Sequence, residues 1–253
     1  MSKPSDFLIF GIHPVEEALS AGKTLDKVLI QQGVEGASLH ALMQELRKRN
    51  IPYSQAPKQA LDRVTRKNHQ GIIAFVSPVE FVAVEDVVAS VFESGQNPLI
   101  LVLDRVTDVR NFGALCRTAE AMGCHAVVFP GKNAARLNED AVKASAGALL
   151  KIPLCKSPNL KYTLAQLKAS GLMVVACTEK SSQPVWSVDL TPPLVIIMGN
   201  EEEGISGEYL KLSDHRLCIP MAGTMDSLNV GVAAGMILSE RNRQSASDSN
   251  FGI

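Results

Sequence analysis

Leu99-Ile100-Leu101-Val102-Leu103 runs without a break into Asp104-Arg105-Val106-Thr107-Asp108-Val109-Arg110-Asn111-Phe112-Gly113-Ala114-Leu115-Cys116-Arg117-Thr118-Ala119. Five consecutive apolar residues ended by charged ones read as a strand buried on both faces. Beyond them the spacing turns helical near Phe112 to Met122. A buried strand feeding directly into a helix is the repeating unit of an α/β sheet. Working outward, the unit recurs: strands are expected at Ala126 to Phe129, Leu172 to Ala176, Leu194 to Met198 and Arg216 to Ile219, with helices between them. Such alternation predicts a mostly parallel sheet covered on both faces.

Upstream the pattern pauses. Residues 78 to 98 hold Pro78, a short amphipathic stretch from Glu85 to Phe92, and the turn-like Ser94-Gly95-Gln96-Asn97-Pro98, which read as a linker. Residues 7 to 77 form a second α/β pattern, with strands expected at Lys27 to Gln31 and Gly71 to Val76 and helices at Pro14 to Ala21 and Ser38 to Asn50. The expected division is a domain over 1–77, a linker over 78–98 and a domain over 99–253. The polar tail from Asn242 is expected to fray.

A 253-residue chain with 46% apolar and 20% charged residues is globular, not disordered or collagen-like. No apolar run approaches the roughly 18 residues of a membrane span, and Met1 to Gly11 lacks the signal-peptide pattern. A cytoplasmic protein with no membrane partner is expected. The five cysteines are odd in number and never paired as C-x-x-C, so they read as reduced, mostly buried thiols. The five histidines show no metal-ligand spacing, and no metal is expected.

The net charge of −1 conceals one basic segment. Between Gln44 and Gln70, Arg47, Lys48, Arg49, Lys58, Arg63, Arg66 and Lys67 face only Glu45 and Asp62, a local +5 that leaves −6 for the remainder. Part of this charge complements the end of the second helix; the rest is either a solvated face or a local surface for nucleic-acid phosphates. Phe7, Phe10, Tyr53 and Phe75 are too few for extensive base stacking, so backbone contacts are the expectation.

Three segments of the second half each follow an apolar strand, where open α/β sheets place their ligands. Besides the first, they are Met198-Gly199-Asn200-Glu201-Glu202-Glu203-Gly204-Ile205-Ser206 and the stretch from Ile219-Pro220-Met221 through Ser227-Leu228-Asn229 to Met236. In the first, Asn111 lies near a helix start and Arg117 about a turn and a half later, an arrangement expected to turn both toward one cleft. The second packs three carboxylates between glycines that let backbone approach a ligand closely. The third enters a helix carrying Gly231 and Gly235, which suggests unusually close packing. No G-x-G-x-x-G, P-loop, H-E-x-x-H or G-x-S-x-G occurs, which removes dinucleotide oxidoreductases, P-loop NTPases, zincins and α/β-hydrolases.

Taken in order, the three segments resemble the three motifs of the SpoU (TrmH) family of RNA ribose 2′-O-methyltransferases, in the SPOUT superfamily. Phe10-Gly11-Ile12-His13-Pro14 and His69-Gln70-Gly71 resemble the family's amino-terminal RNA-binding domain, which is akin to ribosomal protein L30e. The resemblance implies an α/β protein with a carboxyl-terminal trefoil-knotted methyltransferase domain, S-adenosyl-L-methionine as methyl donor, and a homodimer formed through that domain. It points most closely to enzymes that methylate a guanosine ribose in 23S ribosomal RNA. A tRNA ribose methyltransferase and an antibiotic-resistance rRNA methyltransferase stay open as alternatives. Phe112, where Leu or Ile is common, and Met225-Asp226 before Ser227 depart from the pattern.

By the same resemblance, Arg117 activates the ribose hydroxyl. A guanidinium keeps its proton throughout the physiological range, so it serves by gripping a phosphate and stabilising developing alkoxide charge. Glu201 orients Arg117 or passes a proton onward, while Asn111, Ser227 and Asn229 position ribose, methionine or one another. Gly199, Ile219, Met221 and Leu228 are the expected donor site.

Overall fold

The computed structural model describes residues 8–225 and 227–246, so that Phe7 and Asp226 lie outside the described residues. The chain separates into two compact units, residues up to Glu80 with Arg136–Glu139, and Phe81–Ala135 with the residues from Asp140 onward.

In the first unit, β1 (Leu8–Phe10), β2 (Leu25–Gln31), β3 (Tyr53–Ala56) and β4 (Ile72–Val76) form a sheet in the order β1-β4-β2-β3. β4 runs antiparallel to both neighbours, and β2 and β3 are parallel. Helices α1 (Ile12–Ser20) and α2 (Ala37–Lys48) bury Val15, Leu19, Leu39, Leu42 and Leu46 against Val28, Ile30, Ile72 and Ala74 on one face. The seven-residue α3 (Lys58–Val64) covers the other face, packing Leu61 and Val64 on Leu29 and Ile73. The strands β1 and β3 were not expected: at three and four residues, with Ser54 and Gln55 inside β3, they lack a readable apolar period and are held by backbone pairing.

The second unit is a six-stranded, fully parallel sheet; the alternation predicts a mostly parallel sheet and five of these strands, while the four-residue Leu154–Ser157, with Lys156 and Ser157 in it, was not expected. Its strands are β5 (Leu99–Leu103), β6 (Ala126–Pro130), β7 (Leu154–Ser157), β8 (Met173–Cys177), β9 (Leu194–Met198) and β10 (His215–Leu217), in the order β10-β8-β9-β5-β6-β7. All five residues of β5 and of β9 are buried, which is why these runs carry no polar alternation. The remaining helices are α4 (Val84–Glu93), α5 (Val109–Ala121), α6 (Glu139–Ala144), α7 (Leu160–Ala169), α8 (Gly207–Leu212) and α9 (Val230–Ala246). α4 falls in the stretch read as a linker, yet its Val84 and Val88 are buried in one cluster with Ile100, Val102 and Val128. The start of the tail differs from expectation, since α9 continues to Ala246 and Asn242 donates to the Met122 carbonyl at 3.2 Å; the rest of the tail, 247–253, lies outside the described residues.

Candidate functional site: the crevice at the strand ends

The strand order reverses between β5 and β9: successive strands from β5 move one way to β7, and the chain then returns to build β8, β9 and β10 on the other side. Such a switch point leaves room for a ligand beyond the carboxyl ends of the strands. The three quoted segments leave β5, β9 and β10 at this edge. Gly199, Glu201, Ile219, Met221, Ser227 and Leu228 line one crevice there. Val106, Thr107, Asp108, Asn111, Glu201 and Glu202 line a second, and Glu201, Asn200 and Val230 belong to both.

Asn111, Glu201 and Asn229, far apart along the chain, are hydrogen-bonded to one another. The Asn229 side-chain amide donates to Asn111 Oδ1 at 3.0 Å and to Glu201 Oε1 at 2.9 Å. Its own Oδ1 accepts from the Gly231 N–H at 3.0 Å at the start of α9. Both donors and one acceptor site of Asn229 are therefore used, which fixes its orientation. Among the described residues, the two N–H donors of Asn111 and the second oxygen of Glu201 are left unused. Asn111 is itself held at the start of α5, where its backbone N–H donates to the capping Asp108 carboxylate at 2.8 Å.

The acidic loop after β9 is fastened by residues on the β5 loop. Asp104, 1% exposed, accepts from Arg105 Nε at 3.0 Å and from the Ser206 N–H at 2.7 Å. The Arg105 guanidinium also bonds Glu203 and donates to the Gly204 carbonyl at 3.2 Å. Hydrogen bonding to Asp104 raises the Arg105 pKa, with Glu203 adding to it. Within the loop Asn200 Oδ1 accepts from the Glu202 N–H at 2.7 Å, and its amide donates to the Arg105 carbonyl at 3.0 Å. A Cβ on Gly199 would sit 2.4 Å from the Gly204 carbonyl carbon and 2.5 Å from Ile205 N, so only glycine fits at the neck of the loop.

Two family models match the chain: the SpoU rRNA Methylase family over residues 98–239, and RNA 2′-O ribose methyltransferase substrate binding over residues 8–82. The chain belongs to the SpoU family. It is 37% identical over 242 residues to the 23S rRNA (guanosine-2′-O-)-methyltransferase RlmB of Photobacterium profundum, covering 95% of this chain and 98% of that protein. The RlmB of Pseudomonas putida is 37% identical over 238 residues, covering 93% and 96%. The crystal structure of the SpoU methyltransferase AviRb from Streptomyces viridochromogenes, in complex with the cofactor AdoMet, aligns with a TM-score of 0.59. It is 26% identical and covers 95% of this chain and 91% of that one.

Not every residue expected at this SpoU site is brought to it. Arg117 is exposed on α5, lines neither crevice, and has no hydrogen-bond or ion-pair partner among the described residues. The reason is helical geometry: six residues beyond Asn111 at about 100° each leave the two side chains roughly 120° apart around the helix. Other residues at the site carried no sequence signal. Asp104 and Arg105 look like an ordinary strand end, and Thr178 and Glu179, which line the first crevice, follow β8 without any motif. Cys177 also lines it; burial, with Cys218 and Glu179 nearby, pushes its thiol up to about 12, so it remains protonated at neutral pH. The close packing expected at Gly231 is present: a Cβ there would lie 3.2 Å from Asn229 Oδ1 and 3.5 Å from the Ala114 Cβ on α5. At Gly235 the nearest contact would be an ordinary 3.8 Å from Thr118.

Proposed function

We propose that this SpoU-family chain transfers a methyl group from S-adenosyl-L-methionine to the 2′-hydroxyl of a guanosine ribose in 23S ribosomal RNA. The observation that carries the chemistry is the Asn111–Asn229–Glu201 hydrogen-bonded trio at the seam of two crevices. The identity to RlmB proteins over nearly the whole chain supports the RNA class. Among the described residues no group of three or more His, Cys, Asp or Glu side chains could hold a metal ion.

The first crevice fits the donor. Met198, Ile219 and Leu228 supply apolar walls for an adenine, the Gly199 backbone is open to close approach, and the Glu179 and Glu201 carboxylates favour a cationic ligand. When bound, S-adenosylmethionine supplies a methyl group already activated on a sulfonium. The protein's task is then alignment and removal of one proton. Asn111 offers its two free N–H donors to ribose oxygens, Asn229 holds Asn111 and Glu201 in register, and the free oxygen of Glu201 accepts the hydroxyl proton directly or through water. Ser227 and Met221 border the donor side.

Arg117 enters the same reading through a second copy of the chain. A guanidinium turned away from its own crevice and without a partner among the described residues is available to another protomer's. Beside it, α9 exposes Val232 (52%) and Met236 (45%), one turn apart, which supports a homodimer through the second unit. The trefoil knot implied by the resemblance, a domain over 1–77 followed by one over 99–253 to whose core α4 from the 78–98 stretch is added, and a cytoplasmic location are parts of this proposal. No helix among the described residues is long and apolar enough to cross a membrane.

The test is transfer of tritium from methyl-labelled S-adenosylmethionine to a 23S ribosomal RNA transcript. Mapping of alkali-resistant nucleotides in RNA from cells with and without the gene should accompany it. Label in one guanosine, missing from the mutant strain, is the expected result; label only in tRNA, or in a base, would overturn it.

A further inference from the structure

The basic stretch that is continuous in sequence is divided in space by the first unit's sheet. Arg47, Lys48 and Arg49 end α2, which packs on the face built from Val28, Ile30 and Ile72. Lys58 and Arg63 lie on α3, which packs on the opposite face, and Arg66 and Lys67 lie on the loop that returns from α3 to β4.

The two groups also differ in what they are bonded to. Arg47 donates to the Tyr53 hydroxyl at 2.7 Å, with its guanidinium 5.9 Å from the ring centre. Arg49 pairs with Glu45 at 2.5 Å and donates to the Leu19 carbonyl at 2.6 Å, tying α2 to α1. Both are spent on the packing of that face, which leaves Lys48 as the one cation of the three that is exposed without a hydrogen-bond or ion-pair partner among the described residues. On the other face Lys58, Arg63 and Arg66 are exposed and have no ion-pair or hydrogen-bond partner among the described residues. Lys67 lies 5.8 Å over the Phe10 ring, which places it on the α3 side of the sheet. Lys27, paired in register with Phe75 and alternating with the buried Val28, adds a cation to the same side.

The single acid between Pro57 and Gly71 is Asp62, and it is turned onto His69. The Gly71 N–H donates to His69 Nδ1 at 3.0 Å, so Nε2 carries the proton and donates it to Asp62 at 2.9 Å. His69 is buried, and its carbonyl accepts from the Ile72 N–H at 2.8 Å. The loop bearing Arg66 and Lys67 is thereby ordered before any ligand arrives, which lowers the entropic cost of binding.

We infer that the α3 face of the first unit, through Lys58, Arg63, Arg66 and Lys67, is the surface that grips the RNA phosphate backbone, and that the end of α2 is not. This rests on the reading of the chain as an RNA methyltransferase and names the side of its substrate-binding unit that does the binding. Phe10 and Phe75 on this face are half-buried, so the contacts are to phosphates and independent of base sequence.

The experiment compares full-length wild type with two variants, Lys58→Ala/Arg63→Ala/Arg66→Ala/Lys67→Ala and Arg47→Gln/Lys48→Ala. Binding to a 23S ribosomal RNA transcript and to an unrelated single-stranded RNA is measured from 0.05 to 0.4 M salt. Four lost phosphate contacts, at roughly 0.7 each, should lower the steepness of the log–log salt dependence by about 2.8 and weaken binding by two to three decades at 0.1 M, equally for both RNAs. The α2 variant should stay within about twofold with its slope unchanged. Thermal melts and calorimetric titration with S-adenosylhomocysteine check that both variants fold, and the single exchange Arg63→Glu serves if the fourfold variant does not. The inference is overturned if the α2 variant takes the loss, or if the fourfold variant binds like wild type. Failure of the functional reading itself is distinguishable, since wild type would then transfer no methyl group to RNA.

Discussion

Replacing Asp104 by Asn tests whether a residue to which the sequence reading gave no role holds the acidic loop in place. The carboxylate is 1% exposed and meets three donors, Arg105 Nε, Arg105 Nη2 at 3.2 Å and the Ser206 N–H. An amide presents one acceptor oxygen and one NH2 group, and because Arg105 donates to both carboxylate oxygens its guanidinium must face an N–H group in either orientation, as the Ser206 N–H does in one of them. Removing one partner of a fully buried ion pair costs about 3 to 5 kcal/mol, and a hydrogen bond to a charged group is worth about 1.5 to 3 kcal/mol. Arg105 keeps Glu203 and the Gly204 carbonyl, and 29% of its side chain is exposed, so a loss near the lower end, about 3 kcal/mol, is expected. Urea unfolding should show a lower midpoint at constant slope. The Gly199–Ser206 loop borders the first crevice, so calorimetry should also show S-adenosylhomocysteine binding weakened by about tenfold or more, equivalent to roughly 1.4 kcal/mol. A variant that loses less than about 1 kcal/mol and binds the product like wild type would refute the argument that Asp104 anchors this loop.

Arg117→Ala should abolish methyl transfer while leaving S-adenosylhomocysteine affinity within a few fold, because Arg117 borders neither crevice of its own chain; normal turnover would remove it from the mechanism. Mixing that variant with Asn111→Ala should restore part of the activity if Arg117 serves a partner's crevice, and sedimentation should show the mixed dimer. Gly199→Ala forces a Cβ into the Gly204 and Ile205 backbone, so donor binding and kcat should both fall by at least tenfold. Burial, with Arg241 adding its charge, holds the His125 imidazole below its ordinary value, and the Leu99 N–H donating to Nδ1 at 3.0 Å requires that nitrogen unprotonated. The unfolded chain therefore takes up this proton first as pH drops below about 6.5. The His125 contribution to stability is complete above that pH and is lost below it. A scan of Tm from pH 7.5 to 5.5 should fall more steeply for wild type than for His125→Gln; equal slopes would show that His125 is not the group responsible.

The chain itself carried the second unit almost completely. Leu99–Leu103 and Leu194–Met198 appear as strands with the bounds read from sequence, because a strand buried on both faces has no alternative to a continuous apolar run. The motif residues Asn111, Glu201 and Asn229 were legible through the resemblance of their segments to the SpoU motifs, since taken alone an Asn at a helix start and a carboxylate in a loop are common. The structure alone decided four matters. It placed Asn229 between the other two as a saturated hub, it revealed Asp104 and Arg105 as the fastening of the acidic loop, and it turned Arg117 away from Asn111. It also divided a basic run of one chain segment between two faces of a sheet. The physical reason is common to all of them: a sequence records what each side chain can bond, while what it does bond depends on the strand order and helix rotation that bring distant donors and acceptors within 3 Å.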